Sequence, residues 1–319
     1  MNNTSPNLMS LPRWLHRWAV LTVCATFVLL FLGAVVTTFR VGMADQVWPT
    51  YPWHLLLISW DEPSAGFLIE HSHRLAGYIV GCCVIVLAIG LWRCDPRPWV
   101  RRLGLIALLG VIVQGLLGGF RVKLNELIGT DLAVIHGCFA QVVFALLVTL
   151  ALVTTTRWLT GGSRLDSQTA GLKRWAMFTA GLIYLQIVLG AVMRHTYSVA
   201  GQRGHLLIAF GVVAAFVWLL KLALEEHDRT LLAPILLLGG FLLVQVFLGV
   251  EAWVQRVAAG PVEMQERITI GQAAVRTAHV MVGFCIFSTA VAIFLRAHWI
   301  LGTKASPARA ASGHLEGVV

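Results

Sequence analysis

Eight runs of about twenty predominantly apolar residues dominate this 319-residue chain, at roughly 19–38, 71–91, 103–120, 132–153, 174–193, 205–223, 232–250 and 276–296. A helix needs about 20 such residues to cross the hydrocarbon core of a bilayer. A soluble all-helical core would instead give shorter, amphipathic stretches. Composition agrees: 58% of residues are hydrophobic and 12% are charged, against roughly 25% charged in a soluble domain. The fold class expected is therefore an all-α membrane protein with eight transmembrane helices. Residues 1–17 are polar and carry Arg13 and Arg17. The apolar run behind them is too long for the core of a cleavable signal, and no Arg- and Ser-rich mitochondrial leader precedes it. A multi-pass protein of a bacterial plasma membrane is expected.

The net charge of +9 does not point to nucleic acid, because of where it sits. With the N-terminus taken as cytoplasmic, the inner segments hold fifteen of the 24 basic residues but only six of the 15 acidic ones. The outer segments are balanced. A surplus confined to one face is the positive-inside signal, and it predicts both termini in the cytoplasm. Cys24, Cys82, Cys83, Cys138 and Cys285 fall in helices and Cys94 in an inner loop. No cysteine lies where an oxidising compartment would favour a disulfide, and no Cys-x-x-Cys-His motif offers covalent haem attachment. Outer loop 1, about 39–69, is rich in Trp and Pro, including Trp48 and Pro49; such aromatics favour the membrane interface.

The helices repeat in pairs. Helix 3 ends Gln114-x-x-Leu117-Gly118 and helix 5 ends Gln186-x-x-Leu189-Gly190. Helix 7 ends Gln245-x-x-Leu248-Gly249, and helix 1 ends Leu32-Gly33, with Leu29 at the Gln position. Each following even helix has a histidine near its outer start: His73, His136, His205 and His279. Four helical hairpins, Gly-tipped outward and His-bearing on the return, thus form two pseudo-symmetric four-helix bundles. The expected division is a first half over 1–157, a second over 158–302 and a disordered tail over 303–319. Glycine also lets helices approach closely in lipid, which by itself accounts for these glycines.

Ionisable groups within a membrane are costly and mark function by default. A single apolar-helix histidine is usually a packed residue, but four at one depth, one per hairpin, are not. Zinc and copper sites gather further Cys, Asp or Glu ligands; these histidines lie on separate helices among apolar neighbours. Two axial pairs on facing helices suit two non-covalent haems. Chain order pairs His73 with His136 and His205 with His279. Arg40, Arg121 and Arg194 at the outer helix ends are candidates for haem propionates or plain interface anchors. Glu70 lies three residues before His73 on the same helix face, where the other hairpins have Ala133, Gln202 and Arg276. It is either a helix-start acid facing the macrodipole or a proton-handling group at a reaction centre. The asymmetry points to one reactive site and one electron-transfer or structural site. His71 faces away from His73, His54 and His195 fall in outer loops, and His16, His227, His298 and His314 fall on the inner side.

Glu70-His71-Ser72-His73-Arg74 resembles the Glu-x-x-His-Arg segment of the haem A synthase family. The likeness covers residues 19–296 and includes the four hairpins, the Leu-Gly helix ends, Trp48-Pro49 and a histidine opening each even helix. It implies oxidation of one methyl group of haem O to a formyl group through hydroxylated intermediates. Carried over by position, His73 and His136 would hold the substrate haem, with Glu70 as the essential carboxylate. His205 and His279 would hold a haem b that passes electrons, and Arg74 joins the candidate propionate contacts. Neighbours implied are a haem O-making farnesyl transferase and a terminal oxidase. Some family members carry a cysteine pair in outer loop 1; this chain does not. Two alternatives remain: a di-haem b-type cytochrome that only transfers electrons, and a haem transporter.

Overall fold

The computed structural model describes residues 11–44, 64–124, 127, 129–159, 170–225, 229–258 and 268–302. Trp48, Pro49, His54, His227, His314 and the tail 303–319 lie outside the described residues. Eight long helices carry the chain: α1 (Arg13–Phe39), α2 (Ala65–Cys94), α3 (Pro98–Lys123), α4 (Asp131–Val153), α5 (Ala170–Thr196), α6 (Val199–Glu225), α7 (Leu232–Ala258) and α8 (Ile270–Gly302). Each is long and apolar enough to cross a membrane, and among the described residues there is no strand. Large apolar side chains cover the outside of the bundle: Phe210 is 76% exposed, Leu243 75% and Phe247 71%. Water would penalise that surface heavily, whereas lipid tails solvate it. The chain is a multi-pass membrane protein.

The helices outrun the apolar stretches that announce them. In hydrocarbon every backbone N–H and C=O must be satisfied within the segment, so a helix continues through a few polar residues. Helix α2 opens at Ala65, where the Ser64 hydroxyl accepts the Phe67 N–H at 3.2 Å. Helix α5 continues to Thr196 and takes in Arg194 and His195. That corrects the loop placement expected for His195: only Tyr197 and Ser198 separate α5 from α6. Helix α1 closes on Arg40 in the left-handed conformation, φ 57°, and the Val41 N–H returns to the Val36 carbonyl at 3.1 Å.

Packing follows the hairpins. Helices α1 and α2, α3 and α4, α5 and α6, and α7 and α8 lie against one another. Helix α1 touches α4 as α5 touches α8, and the contacts α1–α8, α4–α5 and α4–α8 join the two halves. This is the contact pattern of two pseudo-symmetric four-helix bundles. The first half closes on Leu15, Val84, Leu87, Leu91, Leu147 and Leu150, the second on Leu219, Ile235, Leu238 and Ile293. Between them sit Ala34, Phe144, Met281 and Phe284, with the Phe144 and Phe284 rings edge to face at 5.8 Å. At the end of the bundle opposite the histidines, fully buried Asp95 accepts from Arg97 Nε at 2.9 Å and Nη2 at 2.6 Å. Arg97 Nη2 also reaches the Val153 carbonyl at 3.0 Å, tying the α2–α3 turn to the end of α4.

Candidate haem sites

The four histidines share one setting. In the outer part of each odd helix a glycine faces the histidine ring of its own hairpin. A Cβ added at Gly33 would stand 2.8 Å from His73 Cε1, and at Gly118 3.4 Å from His136 Cε1. At Gly190 it would stand 2.9 Å from His205 Cε1, and at Gly249 3.2 Å from His279 Cε1. The glycines that the sequence explained as helix-packing residues are therefore ring seats. In the first and third hairpins the backbone carbonyl four residues before the glycine also meets the ring. His73 Nδ1 donates to the Leu29 carbonyl at 3.1 Å and His205 Nδ1 to the Gln186 carbonyl at 3.0 Å. An acceptor that is only a carbonyl fixes the Nδ1–H tautomer and leaves Nε2 with its lone pair, the usual arrangement behind a metal-ligating imidazole.

In the second and fourth hairpins the carbonyls of Gln114 and Gln245 lie on the corresponding side. Nδ1 of His136 and of His279 makes no hydrogen bond there. The Gln114 amide donates to the His136 carbonyl at 2.9 Å. The Gln245 amide approaches His279 Nε2 at 3.3 Å, so that nitrogen is presented as an acceptor. Oε1 of Gln114, Gln186 and Gln245 is buried without a partner among the described residues.

The His205 and His279 rings meet edge to face, with centroids 6.3 Å apart and planes at 68°. Two imidazoles on one first-row metal ion, with bonds of about 2 Å, place their centroids about 6 Å apart. That is the separation the two imidazoles would have if they held one iron between them. Among the described residues no three of His, Cys, Asp and Glu converge, so the chemistry on offer is that of paired imidazoles.

The first half adds charge. Glu70 is 4% exposed and accepts from Arg74 Nη2 at 2.8 Å along one helix face. Glu70 lies beyond the first turn of α2, which holds no acid; the macrodipole acts mainly on that turn, so helix-end compensation does not explain it. Arg121 lies within electrostatic reach of Glu70, His73 and His136 and packs over the backbone of Gly42. Arg74, proposed from the sequence as a propionate contact, is turned to Glu70. Arg40 stands over the Tyr197 ring, 5.8 Å from its centroid. Arg194 Nη2 donates to Thr38 Oγ1 at 2.8 Å and to the Ala34 carbonyl at 3.3 Å. His71 is buried and stacked on Phe67 at 5.4 Å. His16 bonds Thr154 and His298 bonds the Phe294 carbonyl, away from both sites.

Sequence reasoning missed two groups. His195 reaches the first-half site from the second half: it lies within electrostatic reach of His136 and Arg121, and its carbonyl accepts from Thr130 at 2.9 Å. Thr38 and Thr277, bonded hydroxyl to hydroxyl at 3.2 Å, carried no signal at all. For His195 the signal was its place directly after Arg194.

Fold and site together define a membrane-embedded helical protein built from four hairpins, with its histidines gathered at one depth. Residues 52–204 match the sequence profile of a family described as cytochrome oxidase assembly protein. The chain is 32% identical over 198 residues to a heme A synthase of Shouchella clausii, covering 60% of this chain and 62% of that protein. It is 30% identical over 194 residues to one of Listeria welshimeri, covering 57% and 59%. It is 27% identical over 189 residues to one of Alkalihalophilus pseudofirmus, covering 59% and 62%. The chain thus spans about three fifths of the length of the relatives it matches. These matches agree with the resemblance to the haem A synthase family read from Glu70 to Arg74; the profile match takes in Glu70, His73 and His136 and ends just before His205.

Proposed function

We propose that this protein is a haem A synthase: an oxidoreductase that converts a methyl group of haem O to a formyl group through hydroxylated intermediates. His73 and His136 hold the substrate haem through Nε2, with the first ring fixed by Gly33 and the Leu29 carbonyl. Glu70 handles protons at the reacting edge, and Arg74, donating to Oε1, keeps its carboxylate oriented. His205 and His279 would hold a haem b, which would supply one-electron chemistry. Arg121, Arg194 and Arg40 offer guanidinium groups at the outer ends for propionates. The observation that carries the reading is the buried Glu70–Arg74 pair on either side of His73, where the second half has Gln202 and Leu206 around His205. A purely electron-transferring di-haem protein has no use for that difference. The orientation proposed has both termini cytoplasmic in a bacterial plasma membrane, with the haem O-making farnesyl transferase and a terminal oxidase as neighbours.

The test is to express the chain in membranes together with a haem O-making enzyme, extract the pigments with acid and separate them. Haem A or its hydroxylated precursor is the expected product. Haem b alone, with haem O available, would overturn the synthase reading in favour of an electron-transferring cytochrome.

A further inference from the structure

The Arg194 bonds cross between the halves and have no counterpart on the pseudo-symmetric side among the described residues. Arg194 stands four residues after Gly190, where Thr37 follows Gly33. Thr38 stands where the second half has His195, and Thr277, two residues before His279, where the first has Val134. Arg194 comes from α5 of the second half, yet Nη2 directs both its hydrogens to α1 of the first, to Thr38 and to Ala34. Ala34 directly follows Gly33, the seat of the His73 ring. Thr38 passes the connection on to Thr277 of α8. The guanidinium also lies within electrostatic reach of His279. Both of its bonds go to neutral acceptors, so its charge is not cancelled by them.

We infer that Arg194 is a positioning residue shared by the two histidine sites, clamping the His73 seat on α1 while its charge acts on the metal held by His205 and His279. The inference rests on the function proposed above. A cation beside an iron centre favours the reduced state, because the added electron is drawn to it, and a low-dielectric setting enlarges the effect. The two hydrogen bonds, by contrast, act on the first half through Ala34 and Thr38, and both leave Nη2, which stands one bond farther from the backbone than a lysine Nζ and is held in the guanidinium plane. The two effects therefore separate by substitution.

The experiment uses the full chain purified with both haems, compared with Arg194→Gln, Arg194→Lys and Thr38→Val. The readouts are the midpoint potential of the second-half haem and the equilibrium affinity of the first half for haem O. Arg194→Gln should lower the potential and weaken haem O binding several-fold. Arg194→Lys should hold the potential near wild type while binding stays weak. Thr38→Val should weaken binding alone. Unchanged potential in Arg194→Gln, or wild-type haem O affinity in both Arg194→Lys and Thr38→Val, overturns the inference. Should Arg194→Gln not accumulate, Arg194→Met takes its place, and a potential in that variant equal to that of Arg194→Lys overturns it too. If the wild-type chain keeps no haem on His205 and His279, the underlying functional reading fails first, before any variant is compared.

Discussion

At the scale of single residues, the histidines were legible because they recur at one position in every hairpin. Their seats were not. A glycine at a helix end reads equally well as a contact between helices, and only the packed rings distinguish the two. The seats make a prediction. With Cβ only 2.9 Å from His205 Cε1, Gly190→Ala must push the ring off its Gln186 carbonyl. The second-half haem should be lost or turn partly high-spin, while the helical content by circular dichroism stays unchanged; a fully six-coordinate spectrum in the variant would refute the seat. Glu70 was legible as an asymmetry, but its pairing with Arg74 needed the structure, since an arginine four residues on could equally have pointed to solvent or propionate. A positioned proton-transfer group contributes about 100-fold or more to rate. Glu70→Gln, isosteric but unable to exchange the proton, should therefore lower haem A formation by at least about 100-fold with haem b content unchanged. Retained activity would remove Glu70 from the chemistry.

At the scale of elements, number and order of helices followed from the sequence because hydrocarbon thickness sets the run length. Their ends did not, since the apolar run stops before the helix does. The cost of an unsatisfied backbone in lipid carries α2 back to Ala65 and α5 on to Thr196, and with α5 it carries His195 from an expected loop into the neighbourhood of the first-half site. The α2–α3 turn shows how such an end is secured. Asp95 is fully buried and held by two Arg97 nitrogens. Removing one partner of a buried ion pair costs about 3–5 kcal/mol, because the other charge is stranded. Asp95→Ala should therefore lower the thermal unfolding midpoint in detergent markedly, and Asp95→Asn, which keeps one acceptor, by less. Equal midpoints for wild type and Asp95→Ala would mean that water reaches Arg97 freely.

At the scale of the whole molecule, the fourfold repeat gave the pseudo-symmetry, but not the way the halves meet. No hydrophobic drive pulls helices together within lipid, so association rests on packing and on hydrogen bonds between them. The seam has both: Phe144 against Phe284 in the middle and Arg194 with Thr38 at one end, while at the other end Trp158, where the chain passes from one half to the next, stacks on Trp299 at 4.8 Å. None of these pairs is visible in a linear reading, because the partners are more than a hundred residues apart and each alone resembles an interface aromatic or a helix-end cation. If the seam is a specific interface, the peptide between Leu159 and Ala170 is dispensable for it. The two pieces produced by cutting there, expressed together, should co-purify in mild detergent and retain the second-half haem. Phe144→Ala removes the ring that the α8 aromatic packs against and should reduce co-purification several-fold without emptying the His205–His279 site, whose ligands and seats lie within one piece. Pieces that separate as readily in the intact sequence as in the variant would show that the covalent link, and not the packed seam, keeps the two sites together.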